Sequence, residues 1–159
     1  MRPRSFLSAI KNMGFFFRAF GKYLIPKKGI WLKRTFLLFM FILFDYLATL
    51  IFCTTPANEA NPYVRMFMEN YGILLGLTIF DLLINFPIYL ILCFDSHFIN
   101  LPQQLSKIVN PLIDLSLAWF LAGYHFNGAT SWFWPVPDLM RQATGFGLYL
   151  AMAASIYLV

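Results

Sequence analysis

Residues 35–53 read TFLLFMFILFDYLATLIFC, a run in which Asp45 is the sole charged side chain. About 20 mostly apolar residues in a helix cross the hydrocarbon core of a bilayer. Inside that core the backbone must satisfy its own hydrogen bonds, so a run of this kind becomes a helix. Three further runs have the same character, over 71–93, 108–126 and 142–159. Composition agrees: hydrophobic residues make up 60% and charged residues 12% of the chain, against roughly 45–50% and about 25% in soluble domains. The chain is therefore expected to be all-α, a membrane bundle of about four transmembrane helices over 35–159. Its 159 residues hold one compact bundle, and no separate soluble catalytic domain is expected.

The segment 1–34 is different. Arg2, Arg4, Lys11, Arg18, Lys22, Lys27, Lys28, Lys33 and Arg34 precede the first acidic residue, Asp45. Arg4, Lys11, Arg18 and Lys22 share one side of a helical wheel, while Phe6, Ile10, Met13, Phe17 and Phe20 fall largely elsewhere. That pattern predicts an amphipathic helix over 5–21 lying in the membrane interface, with those four cations on lipid headgroups. A cleavable signal peptide is the rival, and the interrupting Lys11 and Arg18 and the lack of a small-residue cleavage site argue against it. A basic run also suits nucleic acid, but here it abuts a span. Anionic lipid is the expected partner, at about 1 kcal/mol per nearby cation. The same charge bias predicts a cytoplasmic N-terminus, both ends of the bundle inside and residues 54–70 and 127–141 outside, in the plasma membrane.

Each of the first three spans carries one aspartate: Asp45, Asp81 and Asp114. A charged carboxylate in hydrocarbon costs at least ~2.5 kcal/mol, so each demands a partner. Four residues away on the same face stand Thr49, Asn85 and Asn110 respectively. No Lys or Arg falls inside the predicted spans, which leaves protonation, mutual hydrogen bonding, a bound cation or a partner chain. Interhelical hydrogen bonds at ~0.6 kcal/mol each are the structural account, and an ion or proton site is the functional one. His125 returns nearly to the face of Asp114 and reads as a hydrogen-bonding group at the outer boundary rather than a ligand. His97 is placed in a loop. Trp132 and Trp134 read as interface anchors, and Gly145, Gly147, Ala151, Ala153 and Ala154 as a close-contact helix face. Pro87 is expected to kink the second span. Cys53 and Cys93 fall near opposite membrane faces and are not expected to pair.

Enzyme signatures are missing: there is no G-x-S-x-G, H-E-x-x-H, C-x-x-C or phosphate-cradling loop. Ser131 and His125 make only a weak nucleophile pair without an evident acid. No metal or cofactor is expected, and bound lipid is. In the loop TTPANEANP, Asn61 and Pro62 predict a helix start, with Asn as cap and Pro first, followed by a short helix over 63–70. Glu59 is placed to bond backbone amides there.

The string Asp45-x-x-x-Thr49 followed by Glu59-x-Asn61-Pro62 resembles a family of small prokaryotic multi-pass membrane proteins labelled domain of unknown function 5658. The resemblance covers about residues 38–135. It implies the membrane architecture and supplies no reaction.

The expected function is a non-catalytic small accessory or scaffold subunit of a larger membrane protein complex, with other membrane subunits as partners. Aromatic residues, 19% of the chain, suit an outward face met by lipid or protein. The alternative is a small proton or cation carrier that uses the intramembrane aspartates, and a lipid-directed membrane enzyme comes third.

Overall fold

A computed structural model describes residues 21, 23–27 and 29–158, without the side chains of 157 and 158. The predicted interfacial helix over 5–21, with Arg4, Lys11, Arg18 and Lys22, lies outside the described residues apart from residue 21. Among the described residues the fold is all-helical, with no strand.

The first helix, α1, spans Ile30–Phe52, and Gly29 enters it at φ 100°. Its 23 residues rise to about 35 Å, enough for a bilayer core. The loop after Cys53 ends at Asn61, whose side-chain oxygen accepts from the amides of Tyr63 (3.0 Å) and Val64 (3.5 Å). Pro62 then opens the short α2, Pro62–Tyr71, as the cap chemistry predicts. Gly72 at φ 82° turns the chain into α3, Ile73–Phe98. Here the predicted second span shifts: Tyr71 belongs to α2, and α3 continues five residues past Cys93. His97 is therefore helical rather than in a loop, and α3 runs through Pro87 without a break. Gly76 lets α2 fold back on α3, since a Cβ there would stand 2.4 Å from the Phe67 carbonyl oxygen.

A short connection leads to α4, Gln103–Ser116, a π-helical stretch Leu117–Gly123 and α5, Tyr124–Ser131. Together they make one rod over 103–131, longer at both ends than the predicted span 108–126. Finally α6 covers Asp138–Leu158. Gly123, Gly145 and the buried Ala118, Ala122 and Ala153 bring the rod and α6 together. Of the predicted small-residue face, Gly145 and Ala153 are buried, while Gly147, Ala151 and Ala154 are exposed.

The main core joins Leu37, Leu38, Phe41 and Ile42 of α1 to Leu92, Leu117, Tyr149 and Ala153. A smaller cluster, Cys53, Val64, Met68 and Leu77, seals the α2 end. Trp132 is half-buried, packs on this cluster and donates to the Thr49 hydroxyl at 3.3 Å. The two cysteines are free and sit at opposite ends, beside Met68 and Leu24.

Among the described residues three helices are long and apolar enough to cross a membrane: Ile30–Phe52, Ile73–Phe98 and Gln103–Ser131. In their most apolar windows 39%, 22% and 17% of residues are buried, so most of their surface faces outward. With 21 residues, α6 has the length but is not one of those three. Its first turns carry Asp138, Arg141, Gln142 and Thr144, which dilute the apolar run.

Candidate functional site

The rod and α1 are tied by two polar rungs. In the first, the Arg34 guanidinium donates Nε to Asp114 Oδ1 (2.7 Å) and Nη2 to Oδ2 (2.9 Å). It also reaches the Asn110 side-chain oxygen (3.2 Å) and backbone carbonyl (2.9 Å). The Trp31 ring lies 5.0 Å from the guanidinium carbon. Arg34 is wholly buried, at 0% exposure. A bidentate fork of this kind is the strong form of ion pair. The expectation that no basic residue neutralises the span aspartates is thus corrected for Asp114. Arg34, placed just before the predicted span, lies one turn inside α1.

In the second rung His125 Nδ1 meets Asp45 Oδ2 at 2.9 Å. Asp45 therefore bonds His125, while its same-face neighbour Thr49 serves Trp132. Gly128 makes this approach feasible, because a Cβ there would lie 2.7 Å from Asp45 Oδ1. His125 is buried and acts as a hydrogen-bonding group, as read, though its partner is a carboxylate on another helix. Ser131 Oγ donates to the Gly128 carbonyl at 2.6 Å, so the weak Ser131–His125 nucleophile pair has no bond between its members. Both rungs join residues 80 apart. Arg34 and Asp45 stand eleven residues apart on α1, as Asp114 and His125 do on the rod. Eleven residues are about three turns, or ~16 Å. The complementary order Arg…Asp on one helix against Asp…His on the other was the available sequence signal, and it specifies parallel neighbours in register.

The third aspartate behaves differently. Asp81 and Asn85 both line a groove of about 360 Å³ between α1 and α3. Asp81 has no ion-pair partner among the described residues, and Asn85, buried, leaves both side-chain polar atoms without a hydrogen bond. Asp81 and its same-face neighbour Asn85 are not hydrogen-bonded to each other. Beside them the Thr78 hydroxyl donates to the Leu74 carbonyl (2.7 Å) and so accepts from Tyr46 (2.8 Å).

In the loop, Glu59 accepts from the Asn61 amide at 2.8 Å, the local role its position suggested. Burial raises its carboxyl above the ordinary value of 4.5. The Asn61 hydrogen bond opposes this, the charge of Asp45 adds to it, and Arg65 opposes it. Arg65 braces the same loop through the Glu59 carbonyl.

Sequence reasoning missed Arg141. It is buried, and it donates to Asn127 Oδ1 (2.7 Å) and to the Trp134 carbonyl (3.0 Å) and pairs with Asp138. Among the described residues no three His, Cys, Asp or Glu side chains converge as a metal site. No protein-family model, curated protein or solved structure matches this chain.

Proposed function

We propose that the chain is a non-catalytic accessory or scaffold subunit of a larger membrane assembly. The observation that carries this reading is that Asp45 and Asp114 are both taken up by side chains of the same chain, His125 and Arg34, as ties between helices. Those groups hold the bundle together and leave broad apolar faces outside it. Exposed Phe36, Leu43, Leu47 and Ile51 on α1, with Leu75, Leu82 and Leu83 on α3, offer surface to lipid or to neighbouring helices.

In this reading α6 is a fourth span. Lys33 at the start of α1 donates to the Ile156 carbonyl near the end of α6 at 2.7 Å, so α6 returns to the end where α1 begins. Both ends of the bundle are then cytoplasmic in the plasma membrane, with Arg4, Lys11, Arg18 and Lys22 on anionic lipid. The Asp45, Thr49, Glu59, Asn61 and Pro62 pattern supports kinship with the domain of unknown function 5658 proteins.

Purification in mild detergent at native expression, followed by mass analysis, tests the assignment. Stoichiometric co-purifying membrane subunits are expected. The alternative is a small proton or cation carrier, and Asp81, without a basic partner, is the observation that favours it. A lone oligomer whose thermal stability rises with an added inorganic cation would replace the scaffold reading with the carrier, because a ligand that binds only the folded state stabilises it.

A further inference from the structure

We propose that the groove between α1 and α3 is a binding site for a hydrophobic protonated amine, held by Asp81 and Asn85 between aromatic walls. Asp81 lies eight residues into α3, about 12 Å along its axis. Asp45 and Asp114 each have a basic side chain in contact, and Asp81 has none among the described residues. One turn on, Asn85 is 4% exposed and its amide oxygen and nitrogen are both unpartnered. A buried amide without hydrogen bonds is costly, because each polar group has given up water for nothing. An ammonium donates one N–H to Asn85 Oδ1 and another to the Asp81 carboxylate, supplying the charge Asp81 lacks and the donor the Asn85 oxygen lacks.

The walls suit such a ligand. Phe39 meets Tyr89 edge-on at 5.7 Å, and Phe86 stacks on Tyr89 at 6.4 Å. Aromatic faces around a carboxylate attract cations. Ile42, Leu43 and Leu82 give the groove an aliphatic stretch that takes an alkyl or aryl body, and the hydrogen-bonded Tyr46 and Thr78 complete the lining. A volume of about 360 Å³ is within the range of small-molecule sites, ~300–1,000 Å³. Leu43, Leu82 and Phe86 are exposed, so the groove opens to the surroundings of the bundle, from which a lipid-dissolved molecule enters. One carboxylate and one amide fall far short of the six to eight oxygens a calcium ion takes. An alcohol leaves Asp81 uncompensated, and a carboxylate is repelled.

The test uses the full chain in nanodiscs of zwitterionic lipid, with decylammonium, decanol and decanoate as probes and the thermal unfolding midpoint as readout. Decylammonium should raise the midpoint of the wild type and of Glu69→Gln, a control at an exposed acid outside the groove. Decanol and decanoate should not. Asp81→Asn should need about tenfold more decylammonium for the same shift, and Asn85→Leu should also weaken the response. Equal shifts from all three probes, or an undiminished response in Asp81→Asn, overturn the proposal. Should Asp81→Asn fail to fold, a diazirine-bearing decylamine photolabels the wild type instead. Label mapped to residues 39–46 and 78–89 supports the site, and label confined elsewhere overturns it.

Discussion

Arg34, wholly buried, and Asp114, partly exposed, form a pair whose members are expected to fail separately and to succeed together when replaced. Removing one partner from such a pair strands the other charge and costs about 3–5 kcal/mol, whereas replacing both with well-packed apolar residues is often neutral. Arg34→Met alone should therefore lower stability by that amount, as should Asp114→Leu, and the double variant should recover most of the loss. Unfolding in detergent, read as a double-mutant cycle, checks this, and additive losses would contradict it. At the second rung the neighbouring Gly128 is the sensitive position. Gly128→Ala places a methyl group against the Asp45 carboxylate and should destabilise by about 1–3 kcal/mol. At Gly147, where a Cβ meets nothing within 4 Å, the same change should be neutral or slightly stabilising, since Gly in a helix interior is about 1 kcal/mol worse than Ala. A larger loss at Gly147 than at Gly128 would contradict the close approach.

Among the elements, the loop from Thr54 to Asn61 carries a pH-sensitive carboxyl, Glu59. Burial lifts the Glu59 carboxyl above 4.5 in the folded chain. An acid whose folded value is raised binds its proton more tightly when folded, so its contribution is fully present below about 4.5 and is lost as pH rises through the folded value. Stability of this end should thus fall from acid toward neutral pH. Glu59→Gln keeps an acceptor for the Asn61 amide and removes the titration. The variant should flatten that fall and match or exceed the wild type at neutral pH, measured as unfolding midpoint against pH. A wild-type profile retained in the variant would assign the pH dependence to other groups. Asn61→Ala should cost about 1 kcal/mol through loss of the α2 cap. The neighbouring corner is set by contact instead, because Gly76 lies directly beneath the backbone of α2.

For the whole molecule, the order of the helices follows from the ties between them. The segment 23–27 docks on the end of α3, where His97 Nε2 meets the Ile25 carbonyl (2.9 Å) and the Lys27 amide donates to Ser96 Oγ (2.8 Å). Lys33 meets Ile156 at this same end, and Trp132 meets Thr49 at the opposite one. The four rods α1, α3, α4–α5 and α6 thus alternate in direction. In the proposed four-span reading the charge bias gives this alternation its sense. Single cysteines at Asn58 and Gln104, in a chain with Cys53 and Cys93 changed to Ser, report it. Asn58→Cys should react with an impermeant thiol reagent in intact cells, and Gln104→Cys only after permeabilisation. The opposite result inverts the chain in the membrane.

Hydropathy and cap chemistry were enough to identify what depends on neighbours along the chain or on the surrounding solvent. Apolar runs near 20 residues have one way to satisfy their backbone in hydrocarbon, so α1, α3 and the rod could be read directly. Asn61, Pro62 and Glu59 act within a few residues of one another, so their roles at the start of α2 were legible too. Fine boundaries were not, because Gly72 splits what hydropathy joins and helices extend through polar ends such as Asp95–Phe98. The polar rungs depended on tertiary structure. Whether Arg34 finds Asp114, and Asp45 finds His125, depends on which helices become parallel neighbours and how each rotates about its axis. Nothing within one helix specifies that rotation: the same-face pairs Asp45–Thr49 and Asp81–Asn85 were locally sound, yet packing turned Asp45 to His125 and left Asn85 without a bond.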